Sequence, residues 1–196
     1  MSKTMDEAQI LRLELAGAVF IILLGGMLHF AFEISGRNPV VGVFSAVNES
    51  VWEHLKLAYW PALVYMVIEY RRLKKASSFL TAKAIGICLM PIIIVSSFYA
   101  YNMFIEENLL TDILIFIAAV VTGQLASYRL MTRKNLSAYG RISLITLVST
   151  AIVFTVFTFY PPKLEVFRDP VSGNSGSQGF SKPGSAEVSC KKRVLQ

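Results

Sequence analysis

Long apolar stretches alternate with short polar clusters along this chain, and the length of the stretches predicts membrane-spanning helices. Five segments, 13–33, 51–70, 82–101, 109–129 and 142–160, each reach the roughly 18 to 25 largely apolar residues that a helix needs to cross about 30 Å of hydrocarbon. The first runs through Gly25-Gly26-Met27-Leu28-His29 toward Glu33 without a small-residue cleavage site, so it reads as a retained span and not as a signal peptide. The expected fold is therefore an all-α integral membrane protein, a bundle of five transmembrane helices occupying residues 1–170.

The connections sharpen this outline. Residues 34–50 open with the turn signal Ser35-Gly36-Arg37-Asn38-Pro39 and continue through an apolar stretch, Val40 to Val47, expected in the membrane interface or tucked back among the helices. Pro61 and Pro91 fall inside the second and third spans, where each removes an amide donor and predicts a local kink. After Tyr160-Pro161-Pro162 the chain passes Asp169-Pro170 and becomes rich in Gly and Ser. Residues 171–196 cannot bury enough apolar surface to order themselves and are expected to be a disordered basic tail.

Composition agrees with a membrane location: 54% of the 196 residues are hydrophobic and only 16% are charged. Lys and Arg collect in the connections that would share one side. Arg71, Arg72, Lys74, Lys75 and Lys83 flank the second connection, Arg129, Arg133, Lys134 and Arg141 flank the fourth, and Lys3 and Arg12 precede or open the first span. The other side holds Arg37, Lys56, Lys163 and Arg168 besides the tail. Positive charge favours the cytoplasm, so the N-terminus is expected inside and the C-terminus outside, as a multi-pass protein of the cell membrane. The net charge of +6 follows from this topology and the basic tail, and no basic stripe interleaved with aromatics argues for nucleic acid. The two cysteines, Cys88 and Cys190, form no CxxC pair and read as an apolar filler and a tail thiol.

Candidate chemistry concentrates on the outer side. His29 and Glu33 are four apart near the outer end of the first span, and Glu49 and Glu53 have the same spacing at the start of the second, beside His54. Mixed imidazole and carboxylate donors suit Zn²⁺, Mn²⁺ or Fe²⁺. One mechanism has His29, Glu33 and His54 bind the metal while Glu49 or Glu53 takes a proton from metal-bound water, giving hydrolysis of a lipid or other membrane-surface substrate. Asn48, Ser50, Trp52, Lys56, Asn102 and Asp169 would line this site. On one uninterrupted helix, however, Glu53 and His54 point about 100° apart and Glu49 to His54 is a five-residue step, so no standard ligand motif is present.

A structural account of the same residues competes. Ser50-Val51-Trp52-Glu53 fits a capping box, with Ser50 as N-cap and Glu53 reaching back, and Lys56 would pair with Glu53 at i, i+3. Under that account the protein is a non-catalytic membrane subunit or a small-solute or ion transporter. Transport would need polar groups at mid-membrane, for which Thr122 and Gln124 are the main candidates. Axial haem ligation by His29 and His54 is disfavoured by the carboxylates around them.

His29-Phe30-Ala31-Phe32-Glu33, Val47 to Lys56 and Phe167 to Gly173 together resemble a family of small prokaryotic multi-pass membrane proteins of unknown function, marked by a VNESxWEHLK signature. The resemblance covers about residues 8–173. It implies the helical membrane fold and supplies no activity. Family members end within a few residues of the Asp-Pro-Val stretch, so Asn174 to Gln196 departs from their pattern and is set aside as a non-native extension.

Overall fold

The computed structural model describes residues 6–74 and 76–170. The tail expected to be disordered, with Cys190, lies outside the described residues. Among the described residues the chain is helical throughout: α1 (Glu7–Ile34), α2 (Pro39–Phe44), α3 (Val51–Leu73), α4 (Phe79–Asn102), α5 (Leu109–Arg133) and α6 (Gly140–Phe159), with single 3-10 turns at Ser137–Tyr139 and Glu165–Phe167. Four of the five long helices contain their apolar segments whole, α6 stops one residue short of its own at Phe159, and several extend into polar sequence. α1 begins at a capping Asp6, whose carboxylate accepts from Ala8 N at 3.1 Å, and α5 begins at Asn108, which accepts from Leu110 N at 2.8 Å.

α1, α4, α5 and the Ser137–Phe159 stretch that contains α6 are long and apolar enough to cross a membrane. Their outward faces have the character expected for contact with lipid. On α1, Leu15, Val19, Leu23, Met27, Phe30 and Ile34 form an exposed apolar stripe at steps of three and four residues. α3 is not among the four, because Glu53, His54, Lys56, Glu69, Arg71 and Arg72 dilute its apolar content. Its 23 residues nonetheless extend about 34 Å.

The packing explains how α3 tolerates those charges. α1, α3, α4 and α5 close a ring in which each touches two neighbours, and α6 lies outside it against α4 and α2. Ala58, Tyr59, Ala62, Ile87, Met90, Ala119 and Val120 fill the ring, so α3 presents side chains to protein along much of its length. Two tyrosines of α3 reach carbonyls on other helices. Tyr59 donates to Leu147 O at 2.5 Å, fastening α3 to α6, and Tyr65 donates to Leu13 O at 2.7 Å, fastening it to α1. Both helices that contain an internal proline continue through it, α3 at Pro61 and α4 at Pro91.

Small residues set the closest approaches. A Cβ on Gly25 of α1 would stand 2.5 Å from Leu57 O on α3, so no larger residue fits without parting these two helices. Gly26, next in sequence, has nothing within 4 Å of the same position. The adjacent glycines thus make a matched test. Gly25→Ala should destabilise the protein by about 1–3 kcal/mol through overpacking, whereas Gly26→Ala should be neutral or stabilising by up to about 1 kcal/mol through helix propensity. Chemical unfolding in detergent of the two variants checks this; equal effects would contradict the packing.

Candidate metal centre

The site is built by what holds the start of α3. After α1 the chain reverses through Gly36 and Arg37, both with positive φ (71° and 64°), and enters α2 behind a capping Asn38 and an N-terminal Pro39. The stretch after α2 tucks inward, burying Ser45, Ala46 and Val47. Lys56 is fully buried beneath it and spends its three ammonium donors on three elements: Glu53 Oε2 at 2.6 Å, Gly42 O at 2.8 Å and Thr158 Oγ1 of α6 at 2.8 Å. Glu53, also buried, accepts in addition from Val47 N at 3.0 Å.

These contacts replace the expected capping box. Ser50 is the N-cap by backbone conformation, but its hydroxyl makes no capping bond, and its N–H is taken by Asn48 Oδ1 at 2.9 Å. Glu53 does not reach back to Ser50: its Oε2 is held by the buried ammonium of Lys56 and the Val47 amide, and the Ser50 N–H it would accept from already donates to Asn48. The i, i+3 pairing of Glu53 with Lys56 is present, although as a buried pair rather than one at the water boundary.

Glu49 lies just ahead of α3, so its side chain is not bound to helical spacing. It meets two imidazoles at once: His54 Nε2 lies 3.5 Å from Glu49 Oε2, and His29 Nε2 of α1 lies 3.9 Å from Glu49 Oε1. The histidine rings are 5.3 Å apart between centroids, and the three potential ligand atoms lie within 4.8 Å of one another. His29 reaches this position because it stands one turn beyond Gly25, where the α1 and α3 backbones come close. All three side chains are partly open to solvent.

The second contact of His54 determines its chemistry. Its Nδ1 lies 2.9 Å from Ser50 O, a carbonyl that can only accept, so Nδ1 carries a proton and donates. In the neutral ring Nε2 then presents a lone pair toward the Glu49 carboxylate. A metal ion placed between two such acceptors would be ligated by both. An Nδ1–H bonded to a backbone carbonyl with Nε2 left free is also the arrangement that orients a metal-binding histidine.

The family model described as "Family of unknown function (DUF6512)" matches residues 2–177. The chain belongs to this family. No curated protein and no solved structure matches it. Membership in the DUF6512 family brings no reaction with it, so chemistry rests on the side chains themselves.

Those side chains divide unequally between the predicted roles. His29 and His54 lie side by side, with ring centroids 5.3 Å apart. Glu33, expected as the third ligand, instead forks with Arg37, with Nη2 to Oε1 at 2.9 Å and Nε to Oε2 at 3.2 Å; the positive-φ turn after α1 curls that guanidinium back onto it. Glu49, expected as a general base, lies beside the two imidazoles instead of Glu33. Glu53, the other expected base, is enclosed with Lys56 and does not face the cluster's solvent side. Trp52 packs on Phe154 and Phe167, drawing the segment after α6 onto α3, and Asp169 is buried in that segment. Asn102 is half-buried at the end of α4 and is not one of the clustered groups.

The Glu53–Lys56 pair should be strongly coupled. Glu53→Gln or Lys56→Met alone strands a buried charge and should cost about 3–5 kcal/mol. The double variant should cost clearly less than the sum of the two. Unfolding free energies from a double-mutant cycle in detergent test this, and additive losses would contradict a buried pair.

Proposed function

We propose that this chain crosses the cell membrane five times, with its N-terminus in the cytoplasm and its C-terminus outside, and binds a divalent transition metal at its outer face through His29, Glu49 and His54. The observation that carries the reading is the convergence of two imidazole nitrogens and one carboxylate, with His54 oriented by Ser50 O at 2.9 Å. The fifth span is α3. It is long enough, and its buried charges meet partners inside the protein rather than lipid. The orientation follows from the Lys and Arg bias of the connections, a bias that holds after buried Lys83 is left out of the count.

A two-histidine, one-carboxylate donor set suits zinc, and it equally suits ferrous iron. It fits the oxygen-preferring manganese less well. Three protein ligands leave positions open, so a bound metal would supply Lewis-acid chemistry at the membrane surface, including activation of water for hydrolysis of a lipid or surface substrate. Glu49 is then a ligand and no longer free to act as the base. The separations of 3.5 and 3.9 Å between Glu49 and the imidazoles are those of groups that can close on one ion by small side-chain rotations.

Zn²⁺ and Fe²⁺ titrations of purified protein followed by calorimetry test the ligand set. Wild type should bind one ion. His29→Ala, His54→Ala and Glu49→Gln should each weaken binding by more than the roughly 10–100-fold typical of losing an outer-shell partner. Glu33→Gln should bind as wild type does. Retained affinity in both histidine variants, or loss in Glu33→Gln alone, would contradict the assignment.

A further inference from the structure

A second group of charges lies at the opposite end of the bundle, inside the ring of α1, α3, α4 and α5. Glu14 comes from α1, Glu69 from α3 and Lys83 from α4, and all three are essentially inaccessible to solvent. Lys83 Nζ donates to Glu14 Oε2 at 2.7 Å and also contacts Glu69 Oε2. Ser127 of α5 donates to Glu14 Oε1 at 3.1 Å, and Gln124 Nε2 donates to Glu14 O at 3.3 Å. Tyr65 completes the wall, with its ring 5.8 Å from Lys83 Nζ and its hydroxyl committed to Leu13 O.

Two features bear on the chemistry of this cluster. The first is its charge. Two carboxylates face one ammonium, and the other groups in contact, Ser127, Gln124 and Tyr65, are neutral. Arg72, one turn beyond Glu69 on α3, is exposed. With every group ionised the enclosed set carries one uncompensated negative charge, a costly state in a medium that water does not reach. The second is an unmet atom. Glu69 Oε1 is buried and has no hydrogen-bond partner, whereas both oxygens of Glu14 have donors; Glu53 Oε1 also lacks a partner, but only here does the unmet oxygen coincide with an uncompensated charge.

We propose that Glu14, Glu69 and Lys83 form a proton-binding site that holds a single exchangeable proton on the two carboxylates. That proton balances the enclosed charge and converts one carboxylate oxygen, most directly the unpartnered Oε1 of Glu69, into a hydroxyl. Lys83 stays an ammonium and donates to both acids. Release of the proton leaves a net negative charge where three helices meet a fourth, and this favours entry of water at that end of the bundle. The cluster is independent of the metal reading, since it lies at the other end of α3 and shares no residue with it.

Infrared difference spectroscopy of the full chain in lipid nanodiscs tests the site through the carbonyl stretch of a protonated carboxylic acid. At neutral pH wild type should show one such band, shifted on exchange into deuterated buffer. Glu14→Gln and Glu69→Gln should each abolish it, because either change leaves one carboxylate balanced by Lys83. Glu33→Gln, a solvent-exposed change at the other end of the bundle, should keep it. Absence of the band in wild type would overturn the proposal. So would its survival in either of the first two variants as a folded protein, or its loss in Glu33→Gln. Should neither of the first two fold, Glu14→Asp and Glu69→Asp, which keep both carboxyls, should move the band, and an unmoved band in both would overturn the proposal.

Discussion

A charge enclosed among apolar helices must find its partner inside the protein, and this requirement fixes the central helix of the bundle. α3 carries Glu53 and Lys56 near one end and Glu69 near the other, all buried. Lys56 is completed by Gly42 O and Thr158 Oγ1, and Glu69 contacts Lys83 of α4, so each end of α3 is tied to elements distant in sequence. Sliding or rotating α3 by one residue would strand these groups at a cost of several kcal/mol each, far more than any single apolar contact could recover. The pairs therefore set the register of α3 against α1, α4 and α6, which apolar packing alone would leave loosely specified.

The candidate metal centre is a consequence of that register. Lys56 draws residues 42–47 down onto the bundle by way of Gly42 O and the Glu53–Val47 contact, and the chain emerging from them delivers Glu49 just ahead of α3. Ser50 O, the first acceptor of the helix, turns the His54 ring by taking its Nδ1–H. Gly25 lets α1 approach α3 one turn below, which brings His29 across. The Lys56–Glu53 pair itself touches no proposed ligand. It acts by positioning the backbone from which two of the three ligands project.

The long helices were legible in the sequence because each contains an apolar segment of membrane length, and the segments 51–70 and 109–129 begin at the residues where α3 and α5 begin. The polar partners were less so, for physical reasons specific to each. Glu49 looked badly placed for His54 because a five-residue step is wrong on a helix, but Glu49 precedes the helix and is free of its periodicity. Glu33 looked like a ligand from its i, i+4 spacing to His29; what diverts it is Arg37 in a left-handed conformation, rare for a non-glycine residue. Local pattern suggested the capping box, and a tertiary ammonium displaced it. Lys83 read as a topology-setting charge beside a connection, and no local pattern joined it to Glu14 or Glu69. Ionisable residues inside apolar runs were the available signal that these three belong together.

Both ends of the bundle thus rest on the same physics with different outcomes. At one end the enclosed charges are matched and position a partly open cluster of imidazole and carboxylate; at the other they are unmatched by one. The central claim is that His29, Glu49 and His54 act as one ligand set. X-ray absorption at the metal edge of zinc-loaded protein examines it most directly. The account predicts a first shell of nitrogen and oxygen only, with the outer-shell scattering of two imidazoles. A sulfur neighbour, or scattering from fewer than two imidazoles, would contradict it.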